Sequence, residues 1–198
     1  SDHAVVDEGL PSDRAQFLDS VAYAQGNDPA DAAVYQWLEE RVDLDNLAAY
    51  YAAQIYFQNT DWPQNNMRFW RYRKGVYSPD AALGHDGRWR WMLYDTDHGM
   101  SIWWPNQAEN GLRRVMEEAG DPISNLFKRL LRNTEFKHKF VNVVADMLNS
   151  SFIPAYVGQK VDEYNARLSS SRSEHYNRWR SGTDTGASMK NFANERPA

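Results

Sequence analysis

Apolar residues recur at helical spacing through most of the chain and alternate only near its middle. Behind Pro11-Ser12-Asp13, the residues Phe17, Leu18, Val21 and Ala22 share one face of a predicted helix that Gly26-Asn27 ends. Asp28-Pro29 couples a capping residue with a proline suited to a first turn. A second helix is therefore expected there, turning Val34, Trp37, Leu38 and Val42 inward. Asp43 opens a third over 44–58, where Leu47, Tyr50, Tyr51, Gln54, Ile55 and Phe57 make a broad apolar face. Ala48, Ala49, Ala52 and Ala53 favour helix and permit close packing.

Helical periodicity stops at Asn59-Thr60-Asp61-Trp62-Pro63-Gln64-Asn65-Asn66, which is expected to form a tight, exposed loop at the end of a rigid post. Two aromatic runs follow, Met67–Arg73 and Trp89–Tyr94, separated by a polar stretch with Pro79, Gly84 and Asp86-Gly87. In the second run Trp89, Trp91 and Leu93 fall on one strand face and Arg90, Met92 and Tyr94 on the other. Together the runs predict an antiparallel hairpin with a long loop. Continued parity would carry Asp95 and Asp97 out on the Leu93 face, back towards the first loop. Residues 98–121, with Trp103-Trp104-Pro105, Gly111 and Gly120, show no clear period and read as irregular. Helical patterns resume with Leu126, Phe127, Leu130 and Leu131, then from Thr134, then from Pro154 to Leu168, and again near Ser188.

The composition belongs to an ordinary globular chain, 42% hydrophobic and 25% charged over 198 residues. Eight Trp, eleven Tyr and eight Phe favour an aromatic core with some aromatic pocket lining. A net charge of −5 argues against broad nucleic-acid binding, which needs a basic face. With no cysteine, disulfides, thiol catalysis and zinc–thiolate sites are excluded. No apolar run suggests a membrane segment, and Ser1-Asp2-His3 does not open a signal peptide. The missing initiator Met and the unfinished pattern at Ala198 suggest a piece of a longer parent.

Phosphoryl transfer asks for a carboxylate that orients and deprotonates the attacking hydroxyl. It also asks for oxygen ligands to the magnesium that neutralises the phosphates. Asp61 and Asn66 bring a carboxylate and a carboxamide to one loop, and Asp95-Thr96-Asp97 brings two more carboxylates to the end of the hairpin. An Asp followed five positions later by an Asn is the spacing of the protein-kinase catalytic loop. Alone, that pattern is weak. Asp61 could equally brace a turn, with Asn65 and Asn66 as turn formers at positive φ, and Asp95 with Asp97 could hold a structural calcium ion. The ordered set of helix, loop, hairpin and Asp is more specific.

The stretch Asn59–Asn66, the strand after it, and Trp89-Arg90-Trp91-Met92-Leu93-Tyr94-Asp95-Thr96-Asp97 together resemble the CotH kinase family, named for spore coat protein H. Leu130–Phe136 and Met147–Phe152 resemble that family's helical part. The resemblance implies a protein-kinase-like C-terminal lobe, mainly α with a small antiparallel β-hairpin (α+β), as one domain over 1–198. It implies ATP and Mg2+ or Mn2+ as cofactors and a protein substrate with Ser or Thr hydroxyls. It also implies a place outside the cytoplasm: secreted, on the cell surface or in a spore coat. Residue by residue, Asp61 matches the catalytic Asp, Asn66 the metal-binding Asn, and Asp95 the metal-binding Asp that ends the hairpin. Asp97 would be a helper or second ligand. Asp97-His98-Gly99 follows the Asp-Phe-Gly order of ordinary kinases, placing His98 beside the cluster, and Asn65 shares the Asp61 loop. Trp89 would lie under the adenine.

Pro63 stands where ordinary serine/threonine kinases have a Lys. No Gly-rich phosphate loop and no strand Lys with a partner Glu precede Asp43, so the upstream nucleotide-gripping lobe is expected to be missing from this chain. Three rival readings remain: a catalytically inactive pseudokinase-like binding module, a glycoside hydrolase using Asp61 and Asp95, and a structural coat or surface component.

Overall fold

A computed structural model describes residues 4–102, 108–118, 122–181 and 185–196. It is mainly helical with one two-stranded antiparallel sheet. Helix α1 (Pro11–Gly26) starts at a proline, whose missing N–H would have had no helical partner anyway. Asp13 reaches back to accept a hydrogen bond from the Leu10 N–H at 2.9 Å. The helix buries Phe17, Ser20, Val21 and Ala24, so Ala22 turns outward. Helix α2 (Ala32–Glu39) begins later than the pattern suggests. Asp28 uses its side chain on the Ala30 N–H and its carbonyl on the Asp31 N–H, closing a turn. Asp31 then takes the cap, its Oδ1 accepting from the N–H groups of Ala33 and Val34.

Helix α3 (Leu44–Phe57) is the post of the fold. The Asp43 side chain caps it through the Asn46 N–H, and Gln58 ends it in a left-handed conformation at φ 54°. It packs against α6 (Thr134–Leu148), α4 (Gly111–Glu118) and strand β2 (Arg90–Met92). Strand β1 (Arg68–Trp70) pairs antiparallel with β2, Phe69 facing Trp91 and Arg68 facing Met92. Phe17 stacks on Phe69 at 3.9 Å, which seats the hairpin on α1.

The other edge of β2 is closed by the chain that enters α3. Trp89 donates to the Arg41 carbonyl at 2.8 Å and accepts from the Asp43 N–H at 2.9 Å. The Asn46 carboxamide meets both backbone groups of Trp91, donating to its carbonyl at 3.1 Å and accepting from its N–H at 2.6 Å. A strand edge that would otherwise be open is thus satisfied by the Arg41–Asp43 backbone and one side chain. Arg90 is buried, its guanidinium held by Asp86 at 2.7 Å and Asp43 at 2.9 Å. The strand stops at Met92, Leu93 is exposed rather than continuing the Trp face, and two residues on the backbone takes a left-handed φ of 50° at Asp95.

The stretch read as irregular contains α4. Asn110 caps it, accepting from the Arg113 N–H at 2.9 Å, and Val115 is fully buried while Leu112 and Met116 stay exposed. So short a helix with one deeply buried residue leaves little apolar period to read. Trp103-Trp104-Pro105 and Gly120 lie outside the described residues. Helices α5 (Pro122–Leu130), α6 with its Asn133 cap, α7 (Pro154–Leu168), α8 (Arg172–Trp179) and α9 (Ala187–Glu195) complete the order. Phe127 stacks on Tyr51 at 3.9 Å, joining α5 to the main core. A second, smaller core of Ala53, Tyr56, Phe152 and Phe192 covers the far end of α3.

Candidate active site

The loop after α3 is half anchor and half display. Trp62 is among the most deeply buried side chains of the protein, edge-on to Tyr51 at 5.0 Å and Tyr50 at 5.9 Å. Pro63 is buried with it, while Gln64 and Asn65 are exposed. The expectation of an exposed loop therefore holds for its second half only, because an indole of that size is worth more inside than out. The Trp62–Pro63 peptide is cis.

Asn59 organises the turn from inside. Fully buried, it donates through Nδ2 to Gln54 Oε1 at 3.2 Å and to the Asp95 carbonyl at 3.5 Å, and its Oδ1 accepts from the Asp61 N–H at 3.1 Å. Asp61 is half-buried. One of its carboxylate oxygens accepts from Asn65 Nδ2 and the other from Asn66 Nδ2, each at 2.8 Å. Asn66 adopts φ 56°, a conformation that Asn tolerates better than most residues. With its amide nitrogen on Asp61, its carbonyl oxygen is turned from the carboxylate.

The Asp95–His98 segment is zipped to the same turn. Thr60 donates to the His98 carbonyl from its N–H at 3.3 Å and its hydroxyl at 3.4 Å, and the Met100 N–H donates to the Phe57 carbonyl at 2.6 Å. Gly99 makes this approach possible: a Cβ there would meet the Thr96 carbonyl at 3.0 Å and the Phe57 carbonyl at 3.2 Å. Asp95 and Asp97 are both exposed. The Asp95 carboxyl is pushed above the ordinary carboxylate range, first by a hydrogen bond and charge shared with Asp97, then by desolvation and the charge of Asp61; His98 opposes the rise. Asp61, Asp95, Asp97 and His98 thus come within electrostatic reach of one another, with Asn65 and Asn66 on the same side of the turn as Asp61.

Arg114, which sequence reasoning passed over, reaches in from α4. Its Nη2 donates to the carbonyl of Trp62 at 2.6 Å and to that of Asn59. No local pattern in Gly111–Glu118 announces this, since the two acceptors are backbone atoms far away in sequence. Asn59 and Gln54 were visible only as the edge of the motif and as part of a helix face.

The family model for CotH kinase protein matches residues 2–198. The chain belongs to the CotH kinase family. No curated protein and no solved structure matches it. Membership of a kinase family implies use of a nucleotide and a protein substrate. Among the described residues, no group of three or more His, Cys, Asp or Glu side chains is arranged to hold a metal alone. The donor set nevertheless suits magnesium, which is commonly held by one or two carboxylates with water and phosphate oxygens filling the remaining positions. Asp95 and Asp97 repel each other, and the Asn66 carbonyl oxygen is a hard neutral donor.

Beside the Asp61 loop lies a cavity of about 750 Å3, lined by Asn65, Asn66, Arg68, Trp89, Met92 and residues 4–8 among others. Trp89 lines it but offers it little surface. At 7% exposure, its indole is committed mainly to Phe17 and Phe69. The nearby arginines are already matched: Arg71 and Arg73 both bind Asp13, and Arg68 binds Asp7. Among the described residues, no helix is long and apolar enough to cross a membrane.

Proposed function

We propose that this CotH kinase transfers the γ-phosphate of ATP to a Ser or Thr hydroxyl of a protein. Asp61 serves as catalytic base, and Asn66, Asp95 and Asp97 serve as oxygen ligands of Mg2+ or Mn2+. One observation carries the reading: a carboxylate held through both oxygens by Asn65 and Asn66, on a turn that Asn59 and Thr60 tie to the Asp95–His98 segment. The substrate oxygen attacks the γ-phosphorus, the bond to the bridging β–γ oxygen breaks, ADP leaves, and the hydroxyl proton passes to Asp61. A bound magnesium supplies charge neutralisation for the phosphates. Asn65 and Asn66 keep the carboxylate in one orientation without protonating it, since carboxamides only donate neutral hydrogen bonds there. Trp89 contributes a little apolar surface to the cavity that would receive the adenine. The family supports action outside the cytoplasm, at a cell surface or spore coat.

The test is transfer of labelled phosphate from ATP by the full-length protein with magnesium or manganese, comparing wild type with Asp61→Ala and Asp95→Ala. Asp61→Ala is expected to lower the rate by about 10²–10⁴-fold, the usual contribution of a positioned base. Asp95→Ala is expected to weaken metal-dependent nucleotide binding as well. Transfer that survives both substitutions would sink the assignment, as would a folded wild type with neither transfer nor metal-dependent nucleotide binding.

A further inference from the structure

We propose that Arg114 is a positioning residue that fixes the arc from which Asp61 projects, an inference that rests on the reading of Asp61 as base. One guanidinium nitrogen joins the carbonyls of Asn59 and Trp62, which flank Thr60 and Asp61 on either side. A charged donor bridging two carbonyls makes stronger bonds than neutral donors would, and the planar fork loses little freedom in making them. The side chains of Asn59 and Trp62 are buried, so the two ends of the arc are already packed. Arg114 sets the separation of their carbonyls. Its bonds go to backbone carbonyls, while the Asp61 carboxylate oxygens are engaged by Asn65 and Asn66.

The guanidinium is aimed by the seating of α4. Gln58 Nε2 donates to Glu109 Oε2 at 2.8 Å, Arg196 Nη1 donates to the Glu109 carbonyl, and Asn110 caps the first turn. Gly111 lets α4 lie against the end of α3, since a Cβ there would stand 2.9 Å from the Ile55 carbonyl. Arg114 follows one turn into a helix fixed at its start, and so reaches the Asp61 turn in a set direction.

Because Arg114 acts on backbone, its removal should slow the chemical step and spare nucleotide binding. The measurements are steady-state kinetics of Arg114→Ala and Arg114→Lys, with and without millimolar guanidinium, and amide hydrogen exchange of the same proteins. Arg114→Ala is expected to lower kcat by about 10–100-fold, the scale of a displaced catalytic group. The KM for ATP should stay within about twofold, as expected when only a transition-state interaction is lost. Guanidinium should restore part of kcat to Arg114→Ala and none to Asp61→Ala. Exchange at Thr60, Asp61 and Trp62 should quicken while that of α6 does not. Unchanged exchange at those amides overturns the proposal, as does an unchanged kcat or a loss confined to KM. If Arg114→Ala does not fold, Arg114→Lys is scored by the same kinetic and exchange criteria. A wild type that transfers no phosphate defeats the base assignment instead, and the exchange arm alone then decides whether Arg114 holds the turn.

Discussion

A single carboxamide, Asn59, holds three pieces of the candidate site together: α3 through Gln54, the Asp61 turn through the Asp61 N–H, and the acidic segment through the Asp95 carbonyl. Replacing it by alanine leaves buried polar groups without partners. Asn59→Ala is expected to cost about 1–3 kcal/mol, read as a lower urea midpoint at unchanged slope, and to reduce transfer in the surviving folded protein. A leucine would fill the space but leave the same groups unpaired, so it should not rescue activity. Asp61, Asn66 and Asp95 stood out in the sequence as candidates because their side chains are short, polar and set at loop ends. Asn59 was not, because its partners come from a helix turn before it and from a loop across the hairpin. Arg114 was hidden for the same reason: it binds carbonyls, which every residue has.

At the scale of elements, α4 and β2 show what periodicity misses. The helix rests on α3 through Gly111, where a side chain has no room. Gly111→Ala is therefore expected to push α4 away from Ile55 at about 1–3 kcal/mol, the usual cost of overpacking, and to loosen Arg114 from the turn. Faster amide exchange at both Ile55's helix end and Thr60–Trp62 would report it; a stability unchanged within error would count against such close seating. Strand β2 was visible from Trp89 and Trp91, but its length was not. Its second edge is taken by Asn46 and by the Arg41–Asp43 backbone, which no alternation reveals. Likewise α2 starts at Asp31 rather than Asp28 because two capping residues compete and the first closes a turn.

Across the whole molecule, the hairpin is locked to the helical body by buried Asp43, Asp86 and Arg90 together with half-buried Arg88. Burial alone would raise the Asp86 carboxyl, but the hydrogen bonds and charges of Arg90 and Arg88 outweigh it and hold it far below the ordinary carboxylate value of 3.8. Folding therefore favours the ionised form. Its stabilising contribution is complete above the ordinary carboxylate range and is lost as pH falls through that range towards the folded value. Asp86→Asn is expected to destabilise the protein by about 1–3 kcal/mol at neutral pH, because it removes a charge-assisted pair and leaves buried Arg90 with Asp43 as its remaining carboxylate partner. Its stability should also fall less steeply than wild type on acidification, in urea titrations at a series of pH values. Equal slopes for the two proteins would exclude Asp86 as a source of acid sensitivity. Asp13, held down chiefly by Arg73 and also by Arg71, acts in the same direction at the junction of α1 and β1.

By itself, the sequence determined most of the helices and their approximate bounds, α4 and α8 excepted, together with the antiparallel hairpin, the absence of thiol chemistry, and the acidic and amide residues of the Asn59–Asn66 and Asp95–His98 loops. Those features depend on local spacing and residue type, which a linear chain carries directly. Only the tertiary structure decided that Trp62 anchors its loop from inside, that Arg90 is neutralised in the core, and that Asn59 and Arg114 tie distant backbone into one turn. These depend on which groups meet after the chain has folded. Backbone carbonyls and buried partners have no signature in the order of residues.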